Sequence, residues 1–337
     1  MRSIVAPLPD RPLASGTPPR FSVVIPAYQA AAFVADAVES ALNQTLPPHE
    51  VIVCDDGSTD DLRGALVSYA ADITLLRKEH GGVASARNTA LRAATGDFFA
   101  SLDADNVYLP EYLEALSELS VARPDLDILT TDAYLELDGN IYGRYYRGKA
   151  RFVTDDQRRG IIHQHFVFAN AAYRRQALLA VGGYDETVFA EDTDLLVRMI
   201  LGGSRVGLVD EPLCIYRIRE GSLSSNRPRS FAAGVVVLER ARNHPSLNPD
   251  ERHYLEQQLE AMRREAALAA AEEALRGFAS QPRRRALAVA FGPRGYGIGP
   301  RMRALAAAVA PRLAGRYLER IEHRTGHSRL ALRTRGR

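Results

Sequence analysis

The chain has no tryptophan, only two cysteines and only four methionines in 337 residues. Cys54 and Cys214 lie far apart in apolar stretches. That scarcity excludes a disulfide framework and points to two reduced core thiols in a reducing compartment. No run approaches the roughly 18 consecutive apolar residues that a membrane helix needs. An excess of one charge is also missing. The formal net charge is +2, which gives no global sign of nucleic-acid binding. No Gly-x-Gly-x-x-Gly follows the first apolar run, which disfavours a nicotinamide cofactor. No Gly-x-x-x-x-Gly-Lys-Ser/Thr is present, so the phosphate loop of ATPases is absent.

What is present is ordinary for a folded protein: 46% hydrophobic and 25% charged residues, enough for one large domain or two small ones. Met1 to Arg20 carries Pro7, Pro9, Pro12, Pro18 and Pro19 and lacks the apolar block of a signal peptide. We read residues 1–20 as a flexible leader and the protein as cytoplasmic. From Arg283 to Arg337 arginines are dense, and Glu319 and Glu322 are the only acids. Ala304 to Leu318 is an Ala-rich helical pattern interrupted by Pro311. It suits either a solvated appendage packing on the catalytic domain or a second subunit (a homodimer), or peripheral docking on anionic lipid at the inner membrane face.

Phe21-Ser22-Val23-Val24-Ile25, stopped by Pro26, predicts a first strand. Ala30 to Asn43 has helical spacing, Val51 to Cys54 predicts a second strand, and Asp60 to Tyr69 a second helix. Ile73 to Leu76 predicts a third strand, Gly81-Gly82 opens a helix to about Ala94, and Asp97 to Leu102 predicts a fourth strand. Strands alternating with helices imply a mostly parallel sheet, whose ligands bind beyond the carboxyl ends of the strands. Pro110 to Leu119 predicts a helix, Ile128 to Leu137 a strand, and Asp138-Gly139-Asn140 a turn. Tyr142 to Gly160 reads as a mobile excursion. Arg174 to Val181 and Asp192 to Leu201 predict helices, with short strands at Arg205 to Val209 and Leu213 to Ile218. From about Ser230 the pattern is helical.

The strongest chemical signal is Ser101-Leu102-Asp103-Ala104-Asp105-Asn106, at the end of the fourth predicted strand. Alternate side chains share a face. Asp103 and Asp105 should project together and Ala104 away, and hard carboxylate oxygens so placed suit a divalent cation carrying substrate phosphates. Asp55-Asp56-Gly57-Ser58-Thr59-Asp60 stands at a strand-to-helix junction. Ser58 or Thr59 suits a cap, while an acid there can bond a nucleobase or ribose. The N–H groups opening the Gly81-Gly82 helix suit a phosphate, with Arg87 one turn on as a fixed cation or an ordinary surface residue. Glu191-Asp192-Thr193-Asp194 holds more acids than a helix start needs, so one suits a general base. His163 and His165, at i and i+2, suit one strand face. Tyr142, Tyr145, Tyr146 and Arg147 suit either a sugar-stacking lip or a cover over apolar surface.

In this order, the motifs resemble the family 2 glycosyltransferases. They are Ser22-Val23-Val24-Ile25-Pro26-Ala27-Tyr28, Val53 to Asp60, Gly82-Val83-Ala84-Ser85-Ala86-Arg87-Asn88, Ala94 to Phe98, Leu102 to Asn106, Val181 to Glu186 and Glu191 to Leu195. The resemblance spans about Phe21 to Asn226. It implies a GT-A fold, an α/β Rossmann-like, mixed and mostly parallel sheet flanked by helices, over residues 21–228. A helical Arg/Ala-rich C-terminal extension would follow over residues 229–337.

The resemblance also implies roles. Pro26 and Tyr28 would line a nucleobase pocket, with Asp56 bonding the base and Asp55 supporting it. Asp103, beside Ala104, would lie near the ribose and metal, and Asp105 would be the main ligand of Mg²⁺ or Mn²⁺ on the diphosphate. Asp192 would be the catalytic base with Glu191 beside it. Arg87, Arg217 and the Ser222 to Ser225 loop would serve the donor. The implied reaction is inverting transfer from a nucleotide-sugar, with a UDP-sugar the commonest donor in the family, to the hydroxyl of a glycan, lipid-linked sugar or natural product. A nucleotidyltransferase would want a Gly-rich basic loop after the first strand, and Pro26-Ala27-Tyr28-Gln29 is not one. A haloacid-dehalogenase-type phosphatase would want its Asp-x-Asp near the start of the fold. A non-catalytic sugar-nucleotide-binding protein would bind donor without transfer.

Overall fold

The computed structural model describes residues 18–219 and 227–275. Most of the expected leader, the Ser222 to Ser225 loop and the Arg-rich stretch beyond 275 lie outside the described residues. Two compact units are present: 18–219 with 244–246, and 227–243 with 247–275.

The first unit is built on one sheet. Its parallel half comprises β1 (Phe21–Ala27), β2 (Glu50–Asp55), β3 (Thr74–Arg77) and β4 (Phe98–Ser101), in the order β3-β2-β1-β4. Every residue of β1 and β4 is buried, as unbroken apolar runs require when helices cover both faces. Those helices include α1 (Val34–Leu42), the short α2 (Leu62–Ala65), α3 (Val83–Ala93) and α4 (Tyr112–Ala122). Asp61, not Ser58 or Thr59, caps α2, accepting from Gly64 N at 2.9 Å. The sheet continues through β5 (Val107–Tyr108), β6 (Ile128–Leu137), β7 (Asn140–Arg144), β8 (Ala172–Arg174) and β9 (Val206–Ile218). β8 runs antiparallel to both β4 and β6, and β9 lies parallel to β6. The ends of β1, β2 and β4 therefore open on one edge.

Two expectations are corrected here. The strands expected at Arg205 to Val209 and Leu213 to Ile218 are one strand, β9. Register shifts against Thr131 to Tyr134 absorb Asp210-Glu211-Pro212, as a bulge does for a proline that cannot donate to the ladder. Tyr142 to Gly160 is not a loose excursion. Asp138 and Gly139, with φ of 50° and 78°, make the hairpin into β7. A π-turn at Tyr145–Lys149 and α5 (Gln157–His163) follow. The buried Asp132 carboxylate organises this stretch, accepting from Arg144 Nε at 2.7 Å and Tyr146 N at 2.9 Å. Tyr145 is buried against Phe168, and the Tyr146 hydroxyl donates to Phe166 O and accepts from Phe168 N. These two tyrosines cover apolar surface.

After β8 come α6 (Arg175–Ala180) and α7 (Glu191–Leu201). Between them Gly182 and Gly183 adopt φ of 82° and 73°, the left-handed conformation that ends a helix. The second unit holds α8 (Arg227–Ala241) and α9 (Pro249–Leu275). A reciprocal cap starts α9: Asn248 Oδ1 accepts from Glu251 N, and Glu251 Oε2 accepts from Asn248 N. Arg263 bridges α9 to Glu239 of α8 at 2.8 Å.

Candidate active site

Asp55 and Asp56 end β2, and both are buried. Asp55 Oδ1 accepts from Ser58 N at 2.8 Å, which closes the turn at Gly57. Gly57 has φ +76°, and a Cβ there would meet His80 N at 2.8 Å, so glycine is required. Asp56 accepts from Gly81 N at 3.0 Å and Gly82 N at 2.7 Å, pairs with Lys78 Nζ at 2.8 Å, and lies 2.9 Å from His80 Nδ1. The Gly81 and Gly82 N–H groups just before α3 thus face an internal carboxylate. Asp56 acts here as the clamp of the 78–82 loop. Tyr28, half exposed after β1, stacks on His80 with ring centroids 4.1 Å apart. Pro26 is inside β1. Asp56→Ala should strand the Lys78 ammonium and two N–H groups, at a cost of about 2–3 kcal/mol. It should also weaken affinity for free nucleotide without metal; urea melts and calorimetry check both.

The second cluster gathers around Arg87. This arginine is 4% exposed, so it is not an ordinary surface residue. Its Nη2 donates to Asp103 Oδ1 and its Nη1 to Glu191 Oε1, both at 2.7 Å, and its Nε is buried without a partner. The guanidinium also lies 5.3 Å from the centroid of the Tyr184 ring. Burial opposes the Arg87 charge, but Asp103, Tyr184, Glu191 and Asp192 hold its pKa well above the ordinary range. Burial also pushes Asp103 up, against the pull of Arg87. Glu191 is pushed up to about 7, first by burial, with Arg87 opposing and Asp192 adding to the rise.

The folded protein therefore keeps a proton on Glu191 that the unfolded chain loses near 4.5. Stability from this group should fall as pH rises from about 4.5 to about 7 and level off above. A Glu191→Gln chain should lack that slope in pH-dependent urea melts.

Asp103 and Asp105 follow β4 with their side chains 27% and 24% exposed, while Ala104 is packed into the core. Asp105 pairs with Arg219, just past β9. Arg217, expected to serve the donor, pairs with Asp36 at 2.8 Å and lies 3.7 Å from Glu136. Sequence reasoning missed Arg219. The period-2 rule that linked Asp103 with Asp105 applies equally to Arg217 and Arg219. Asp192 makes local hydrogen bonds, Oδ1 lying 2.7 Å from Thr193 N, and no ion pair reaches it among the described residues. Its charge nevertheless acts on Arg87, Asp103 and Glu191, so it belongs to the cluster. Asp194 instead pairs with Arg198 at 2.7 Å.

His163 ends α5, and His165 sits in the loop beyond, 2.8 Å from Thr193 Oγ1, so they share no strand face. Asn88 was also missed. It donates to Tyr184 O and Glu186 Oε1 and accepts from Tyr184 N, which staples α3 to the 182–186 loop. A Cβ on Gly183 would meet Asn88 Oδ1 at 2.7 Å. Cys54 and Cys214 are buried free thiols, pushed by burial to about 11 and about 12.

A curled, mostly parallel sheet with acids beyond the ends of its strands is the GT-A glycosyltransferase fold. The model "Glycosyl transferase family 2" matches residues 22–182, the stretch that holds β1 to β4 and their acids. Chondroitin synthase of Escherichia coli is 30% identical over 216 residues, covering 61% of this chain and 30% of that protein. The chain thus spans less than a third of that relative's length. Staphylococcus aureus TarS 1–349, solved with UDP-GlcNAc, is similar in fold (TM-score 0.58, 18% identity, 91% of this chain and 92% of that one). So is the mannosyltransferase PcManGT of Pyrobaculum calidifontis, solved with GDP-Man and Mn²⁺ (TM-score 0.53, 21% identity, 91% and 90%).

Proposed function

We propose that this chain is a metal-dependent inverting glycosyltransferase that moves a sugar from a nucleoside-diphosphate donor, a UDP-sugar, to an acceptor hydroxyl. The observation that carries the reading is the cluster around Arg87. Asp103, just past β4, and Glu191 with Asp192, at the start of α7, meet at one buried cation, with Asp105 beside them. The family match and the nucleotide-sugars in the names of its fold neighbours support the donor class.

The acids fit a divalent cation of one kind. Among the described residues no three His, Cys, Asp or Glu side chains converge as an all-protein cage would need. Mg²⁺ instead takes one or two carboxylates together with substrate phosphates. Asp103 and Asp105, each half-buried and two residues apart, supply that number. Mg²⁺ or Mn²⁺ held there would neutralise charge gathering on the leaving diphosphate. The chain's own residues do the rest. Asp192 takes the acceptor hydroxyl's proton as oxygen attacks the anomeric carbon from the face opposite the leaving group. Glu191 and Asp103, tied to Arg87, keep the base end and the diphosphate end in register. No covalent enzyme intermediate is needed.

A thermal-shift panel of UDP, dTDP, GDP and their sugar conjugates, each with Mn²⁺, tests the reading. Stabilisation by a UDP-sugar, followed by its turnover, is expected. Stabilisation by no nucleotide would end it, and binding without turnover would leave a sugar-nucleotide-binding protein.

A further inference from the structure

The two cations of the acid cluster are held in opposite ways. Arg87 has a side chain 5% exposed and is locked between two carboxylates. Arg219 has a side chain 40% exposed. Its Nε lies 3.0 Å from Asp105 Oδ2, its Nη2 contacts the same oxygen, and its guanidinium sits 4.2 Å from the centroid of the Phe33 ring. Both nitrogens crowd onto one oxygen, so this is not the two-oxygen fork that Arg and carboxylate prefer. Removing Arg87 would leave buried charge unpaired. Arg219 can leave at small cost, because an exposed ion pair is worth about 1 kcal/mol or less, and the departing guanidinium stays in water.

Building on the glycosyltransferase reading, we infer that Arg219 is a displaceable counter-ion: it competes with the divalent cation for Asp105. Without metal it neutralises Asp105 and rests on Phe33. As the cation arrives, the guanidinium yields the carboxylate oxygen. Apparent metal affinity is then lowered by the strength of the pair, and an anionic donor that draws Arg219 to its own oxygens would relieve that competition.

The test uses the full chain and Mn²⁺ alone, followed by calorimetry or by the electron paramagnetic resonance of the free ion. Arg219→Gln should bind Mn²⁺ about fivefold more tightly than the unchanged chain, the factor expected when a pair of up to about 1 kcal/mol no longer competes. Arg219→Lys, which keeps charge but not the planar guanidinium, should fall between them. Asp105→Asn should abolish the difference. Equal or weaker Mn²⁺ binding by Arg219→Gln overturns the proposal, whether the starting affinity is measurable or not; thermal melts confirm that the variant is folded. Failure of the nucleotide panel would instead strike the glycosyltransferase reading and leave this ion competition standing.

Discussion

Asp192→Asn should bind donor as the unchanged chain does and lose transfer by at least about two orders of magnitude, the range general-base catalysis contributes. The substitution is nearly isosteric, and the Oδ1 contact to Thr193 N at 2.7 Å survives in an amide. What disappears is an acceptor for the hydroxyl's proton. The choice of Asp192 over Glu191 follows from partners. Glu191 spends Oε1 on Arg87, whereas Asp192 has no ion pair among the described residues. Donor affinity by calorimetry and turnover by product release separate the outcomes. Near-normal turnover would remove Asp192 from the base role. Lost donor affinity would place it in binding instead.

The parallel half of the fold was legible because its signals are local. Apolar runs ended by Pro26, Asp55 and Asp103 mark β1, β2 and β4, and Ile128 to Leu137 matches β6 residue for residue. Acids at those ends drew attention to the edge of the sheet where Asp56, Asp103 and Asp105 lie. The misses share a physical cause, since hydrophobic periodicity is silent about buried polar groups. Nothing local says that Arg87 is interred between acids 16 and 104 residues away, or that Asp56 closes on the loop that starts α3. The Tyr142 to Gly160 stretch looked loose because one distant carboxylate, Asp132, supplies its order. Pro212 seemed to divide β9 because a bulge is a property of the pair of strands.

Arg87→Met should be the most damaging single change in the first unit. Methionine fills much the same volume, so the loss is chiefly electrostatic. It leaves Asp103 and Glu191 facing each other without their shared cation. Removing one partner of a buried pair costs about 3–5 kcal/mol, which in a unit of this size lowers the melting temperature by roughly 10 °C. The effect should depend on pH with a definite sign. Burial already raises both acids, and Arg87 opposes that rise in each, so its loss pushes them higher still. Their folded forms then bind protons that the unfolded chain releases, and the deficit grows as pH increases. Melts of the variant and the unchanged chain should lie closer at pH 5 than at pH 8. Adding Glu191→Gln to Arg87→Met should recover part of the loss at pH 8, because one of the stranded charges is gone. A deficit that ignores pH and is unmoved by Glu191→Gln would mean that Arg87 matters for packing alone. The guanidinium would then not be what holds the base end and the diphosphate end of the site together.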